Sequence, residues 1–189
     1  MNTRLLTWFC LSLCAVQGWA ADLRMLDVQR DGRRFHVTSE LYLDAAPPQV
    51  FAALTDYDNL ASLSSRFLES RSETGSDGRA RVYTLIQGCV WFFCRSVERY
   101  AWFETEPPVS ITATVDPQDS DFAYGLERWQ LLPENDGTLV VYTHELEPRF
   151  WVPPLIGVWV IRRALGDDAL KAATRIEKRA LGNGAQAVE

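Results

Sequence analysis

Few side chains in this sequence could do chemistry. Cys89 and Cys94 flank four large apolar residues in GCVWFFCR, Glu127 and Glu145 interrupt apolar runs in YGLERWQLL and VVYTHELEP, and the histidines are His36 and His144. A carboxylate enclosed by apolar neighbours could act as a general acid or base on a captured ligand, which makes Glu127 or Glu145 the candidate for proton transfer. His36 alternates with Phe35 and Val37 and is expected to point outward; His144 is expected on the face opposite Trp129. Ser62, Ser64 and Ser65 have no identifiable base beside them, as nucleophilic attack requires. No GxSxG, HExxH, P-loop or dinucleotide fingerprint occurs. Asp56 and Asp58 in TDYDNL read as acceptors for free N–H groups at a helix corner. Catalytic residues are therefore expected to be none, and binding becomes the leading reading.

The N-terminus sets the compartment. Arg4, an apolar stretch from Leu5 to Val16, and Gly18 and Ala20 follow the order of a secretory signal peptide cleaved near Ala21. The apolar stretch is about 12 residues, short of the roughly 20 a spanning helix needs, so an uncleaved anchor is the lesser alternative. Export to the periplasm is the expectation. Cleavage removes Cys10 and Cys14 and takes the net charge from −6 to −7, with scattered basic residues that exclude a nucleic-acid footprint. Two thiolates without nearby histidine make a poor zinc site, so no metal or cofactor is expected. In an oxidising compartment Cys89 and Cys94 read first as a disulfide. Along one straight strand they would lie about 16 Å apart on opposite faces. If Val90 to Phe93 form a hairpin loop, the cysteines become a facing pair within the roughly 4.4–6.8 Å a disulfide needs.

The elements that would position these residues follow from periodicity. Phe35–Leu43 alternates as a half-buried strand, Pro47–Leu54 reads as a short helix, and a second short helix runs to Leu63. Six strands follow: Phe67–Glu73, Arg79–Gln87, Arg95–Glu104, Val109–Val115, Phe122–Leu132 and Thr138–Leu146. Their turn-rich connections predict an antiparallel meander. Val158, Ile161, Leu165, Ala169, Ala172, Ile176 and Ala180 recur at three and four residues, which predicts a long helix over Pro153–Leu181. The domain limits read as 1–20 signal peptide, 21–34 N-terminal segment, 35–182 folded domain and 183–189 tail.

APPQVFAALTDYDNLASL after the first strand, ERWQLLPENDGTLVVY across a hairpin, and FWVPPLIGVWVIRRAL opening the last helix together resemble the START-like or Bet v 1-like (SRPBCC) superfamily. The resemblance is to its polyketide cyclase and coenzyme Q-binding branch and extends over Arg34 to Leu181. It implies an α+β helix-grip fold: a curved seven-stranded antiparallel sheet around a long C-terminal helix, with two short helices after the first strand and a cavity between sheet and helix. It also implies a hydrophobic small-molecule partner, a lipid or quinone.

Alternation of the meander brings three connections to one end, the expected cavity mouth. There Val90, Trp91, Phe92 and Phe93 meet Phe150 and Trp151 as an aromatic rim. Burying three such rings could remove about 150–250 Å² each from water. Three readings stay open: a ligand gate, an inward plug of a solid core, or a docking patch for a membrane surface or protein partner. Pairing the last two strands around Glu134-Asn-Asp-Gly137 is expected to place Trp129, Leu131, Leu139 and Val141 on one wall, with Glu127 and Thr143 nearer the mouth. Far-end apolar and mouth-end polar residues suit an amphiphile entering tail first. A monomer is expected.

Overall fold

A computed structural model of the chain describes residues 21–90, 93–152 and 157–186. The signal-peptide reading of residues 1–20 lies outside the described residues, as do Trp91, Phe92, Pro153 to Leu155 and the end of the tail; so do the side chains of Val90 and Phe93. The element order is β1 (Asp22–Asp31), β2 (Arg34–Leu43), α1 (Pro47–Leu54), a 3-10 turn over Tyr57–Ser62, β3 (Phe67–Thr74), β4 (Ala80–Val90), β5 (Phe93–Glu106), β6 (Ser110–Val115), β7 (Phe122–Glu134), β8 (Gly137–Pro148) and α2 (Gly157–Gln186). All eight strands form one antiparallel sheet in the order β1-β2-β8-β7-β6-β5-β4-β3.

The eighth strand corrects the seven-strand expectation, because the supposed N-terminal segment is β1. A bulge between Leu23 and Met25 breaks its alternation, which hides the period of two, and it closes onto β2 through Gly32-Arg33 with Gly32 at φ 59°. Asp31 faces Arg34 across this turn, a two-residue hairpin opening on an Asp-Gly pair.

Asp56 and Asp58 also differ from expectation, since neither makes a side-chain cap of its helical turn. Asp56 accepts from Asn59 and pairs with Arg179 of α2, while Asp58 Oδ1 accepts from Ser72 N and Oγ at 2.7 and 2.9 Å. They bind the short turn to the helix and to the edge strand. At α1 the Ala46 N–H donates to Gln49 Oε1, and Pro47 and Pro48 occupy positions where helix N–H groups have no intrahelical acceptor.

α2 closes the far end of the concave face. Ala173 and Ala180 are fully buried against Leu43, Val50, Ala53, Leu131 and Val140, and Glu177 accepts from the Asp44 N–H at 3.0 Å. A neighbouring cluster of Leu60, Leu63, Val82, Ala101, Phe103, Ile111 and Ala113 shares Trp129 and Ile176 with it. Close approach at this end demands Gly137: an added Cβ would sit 2.3 Å from the Leu43 carbonyl oxygen, which is backbone and cannot swing away.

Cys89 and Cys94 face each other across β4 and β5 and form a disulfide, with Cα atoms 4.0 Å apart. The closed loop is short, so Cys89→Ser with Cys94→Ser should cost about 2 kcal/mol or less by the chain-entropy relation, read as a small fall in the urea midpoint. A loss much above that would mean that the disulfide also holds rim packing.

Candidate functional site

The concave face is banded. Inward positions alternate along each strand, so Val82, Thr84 and Ile86 of β4 share the face with Val97, Arg99, Ala101 and Phe103 of β5, and with Glu127, Trp129 and Leu131 of β7. Beyond the packed floor lies a polar band of Thr84, Arg99, Glu127, Tyr142 and His144. Beyond that is an apolar collar of Val97, Val115 and Phe122, backed by Ile86, Leu146 and Phe150. The expected gradient from apolar depth to polar mouth is therefore corrected: the polar groups sit in the middle.

Register explains which predicted residues meet. Glu134 pairs directly with Gly137 across the two-residue turn Asn135-Asp136, with Asn135 at φ 51°. An even-length turn joins odd-numbered β7 positions to even-numbered β8 positions, so Leu131 faces Val140, Trp129 faces Tyr142 and Glu127 faces His144. Leu139, Val141, Thr143 and Glu145 consequently alternate onto the opposite face. They leave the expected wall, and Val140, Tyr142 and His144 take their places. Leu131, 2% exposed, belongs to the packed floor, and Trp129 bridges floor and band, with ring centroids 6.3 Å from Phe103 and 5.1 Å from Tyr142. At the mouth Phe150 packs 6.3 Å from Phe122, whereas Trp151 is 77% exposed.

The band centres on a buried ion pair. Arg99 Nη2 stands 2.8 Å from Glu127 Oε1, with side chains 7% and 6% exposed. The distance is that of an ion pair, but the contact lacks hydrogen-bond geometry, and Arg99 Nε has no hydrogen-bond partner among the described residues. Tyr142 donates its hydroxyl to Glu127 Oε2 at 3.2 Å, and His144 Nε2 lies 3.6 Å from Glu127 Oε1. Thr84 faces Arg99 across β4 and β5, and its buried Oγ1 has no partner among the described residues either. Sequence reasoning found Glu127 but missed Arg99, Thr84, Tyr142 and His144. Arg99 was legible as the lone cation between the inward positions of Val97 and Ala101.

Burial pushes the Tyr142 phenol well above its ordinary range, and the Glu127 charge adds to this, so it remains a neutral donor. Burial holds His144 below the ordinary imidazole value; Glu127 opposes the shift and Arg99 reinforces it. A folded-state pKa below the unfolded value of about 6.5 means that the stability contribution is complete above pH 6.5 and is lost as pH falls through the folded value. The urea midpoint should fall between pH 7.5 and 5.5, and fall less in His144→Gln. Equal acid sensitivity in both proteins would remove His144 from this role.

Among the described residues no group of three or more potential metal ligands converges, and no helix is long and apolar enough to cross a membrane.

An antiparallel sheet gripping a C-terminal helix, with a polar band on its concave face, defines a helix-grip protein of the START/Bet v 1 superfamily. The chain belongs to the polyketide cyclase/dehydrase and lipid transport family, whose model matches residues 34–189. Solved structures share the fold at low identity. A START superfamily protein from Mycobacterium smegmatis aligns with a TM-score of 0.60 at 15% identity, over 78% of this chain and 97% of that one. A STAR-related lipid transfer protein fragment from Xanthomonas axonopodis aligns at 0.59 and 13%, over 80% and 98%. The Zhui aromatase/cyclase from Streptomyces sp. R1128 aligns at 0.55 and 14%, over 82% and 96%. A search of curated proteins returned no match.

Proposed function

We propose that the concave face binds a hydrophobic ligand bearing an acceptor oxygen, without transforming it, in an exported monomeric protein that serves as carrier, store or sensor. The observation that carries this reading is the pair of buried groups without a hydrogen-bond partner among the described residues, Thr84 Oγ1 and Arg99 Nε, on a wall otherwise apolar above and below. A buried donor without an acceptor costs about 1–3 kcal/mol, and more if charged, so an arriving acceptor is strongly favoured there. A lipid ester or a quinone carbonyl supplies an acceptor oxygen on a long apolar body. The apolar run before Ala21 supports export, and membership of a family that includes lipid transport supports the ligand class.

Mass spectrometry of an organic extract from gently purified protein tests this. A stoichiometric lipid or quinone, depleted in Trp129→Ala and in Thr84→Val, is the expected result; an empty wild-type protein under conditions that retain weak ligands overturns it. Proton-transfer chemistry is a second reading, favoured by the Glu127 carboxylate lying between the Tyr142 hydroxyl and the His144 imidazole. Turnover of the extracted ligand that disappears in Glu127→Gln would replace binding by catalysis.

A further inference from the structure

Outside the band, the β1–β2 turn and the segment leaving β8 border a separate, partly open pocket of about 190 Å³. Three arginines line it, Arg30, Arg33 and Arg149, together with Phe35, Phe150 and Trp151. Phe35 pairs with Leu146 of the collar, two residues outward along β8 from His144, so the pocket continues the concave face toward solvent.

Its charges are incompletely matched. Arg33 lies 4.0 Å from Glu147, which Arg34 approaches at 3.5 Å, and Arg33 also donates to the Pro148 carbonyl at 3.0 Å. Among the described residues Arg30 donates only to carbonyls, Gly32 O at 2.9 Å and Val152 O at 3.4 Å, and Arg149 donates to Pro117 O. Neither has a carboxylate partner among the described residues. Arg30 Nη1 is buried and has no hydrogen-bond partner among them, while its guanidinium lies 5.1 Å from the Phe35 ring centre. In a chain of net charge −6 such a cluster is a local exception.

We propose that this pocket takes the anionic headgroup, phosphate or carboxylate, of a single-chain amphiphile whose chain lies along the collar. Arg30 supplies a charge-assisted hydrogen bond from a guanidinium whose Nη1 has no acceptor among the described residues, Arg33 and Arg149 add charge, and Phe35, Phe150 and Trp151 flank the first carbons of the chain. The placement of the chain rests on the proposed ligand-binding function; the anion contact rests on the arginines alone. If the arginines only fasten the 148–152 segment through its carbonyls, their loss would change stability without changing anion preference.

Calorimetric titration below the micellar concentration, at about 0.15 M salt, separates these possibilities. The probes are dodecyl phosphate, dodecanol and inorganic phosphate. Wild-type protein should bind dodecyl phosphate about tenfold or more tighter than dodecanol, as a charge-assisted contact implies. Arg30→Gln and, separately, Arg149→Gln should erase most of that preference and leave dodecanol binding unchanged. Equal affinity for the two amphiphiles, or a preference untouched in both variants, overturns the headgroup site while leaving the proposed function standing. Binding of inorganic phosphate with neither amphiphile bound would instead refute the amphiphile and reduce the pocket to an anion site, leaving the proposed function to the extraction experiment. Arg30-dependent sedimentation with phosphatidylglycerol vesicles, without binding of dissolved dodecyl phosphate, would assign the headgroup to a bilayer and overturn the single-chain version.

Discussion

Glu127→Ala is expected to destabilise the protein by about 3–5 kcal/mol, more than any surface substitution, because it strands the Arg99 charge in a buried site. Arg99 has no second carboxylate partner among the described residues, and the Tyr142 hydroxyl would lose its acceptor in the same step. The comparison that isolates the cause is Arg99→Met with Glu127→Leu. Removing both charges and restoring volume also removes the desolvation penalty, so the double variant should unfold within about 1–2 kcal/mol of wild type or above it. Urea unfolding at pH 7.5 reads both, with slopes compared to confirm that the transition remains two-state. A single variant that loses less than about 1 kcal/mol would mean that water reaches Arg99 freely and that the band is solvated. The pair is weak evidence for stability and better evidence for function. A stable double variant that has lost its ligand would show that the ion pair is kept for what it binds.

Hydrophobic period made most of the fold legible. α1 occupies the predicted Pro47–Leu54, and seven of the eight strands fall where alternation put them, with ends displaced by up to a few residues. β1 escaped because its bulge puts Leu23 and Met25 out of phase, although Asp31-Gly32 carried a hairpin signal. The site was less legible because it depends on parity. Period two says that Leu139 and Val141 share a face, but which β7 face they join depends on whether the turn holds an odd or even number of residues. Glu134-Asn-Asp-Gly137 admits both readings until Gly137 is seen pressed against the Leu43 carbonyl, which places it inside β8 instead of in the turn. His144 was turned outward by that same shift. Arg99 and Glu127 are on different strands with β6 intervening, and no local pattern announces a partner that only sheet order supplies.

Leu131→Ala is expected to cost about 2–5 kcal/mol in the ligand-free protein, because Leu131 packs a closed floor. It is 2% exposed and lies in a cluster with Leu43 and Val140 from the sheet, Val50 and Ala53 from α1, and Ala173 and Ala180 from α2. The small side chains at 173 and 180 already let the helix approach closely. Little further collapse can fill the space that truncation leaves, so the cost should fall in the upper half of that range. If Leu131 instead lined the ligand space, as the sequence suggested, the free protein would lose about 1 kcal/mol or less and the defect would appear as lost ligand. Urea unfolding of delipidated protein, paired with ligand stoichiometry by mass spectrometry, separates the two. A large stability loss with stoichiometry retained places the ligand above the floor, against Trp129, Tyr142 and the Arg99–Glu127 pair; a small loss with an emptied protein would open the floor and return Leu131 to the binding wall.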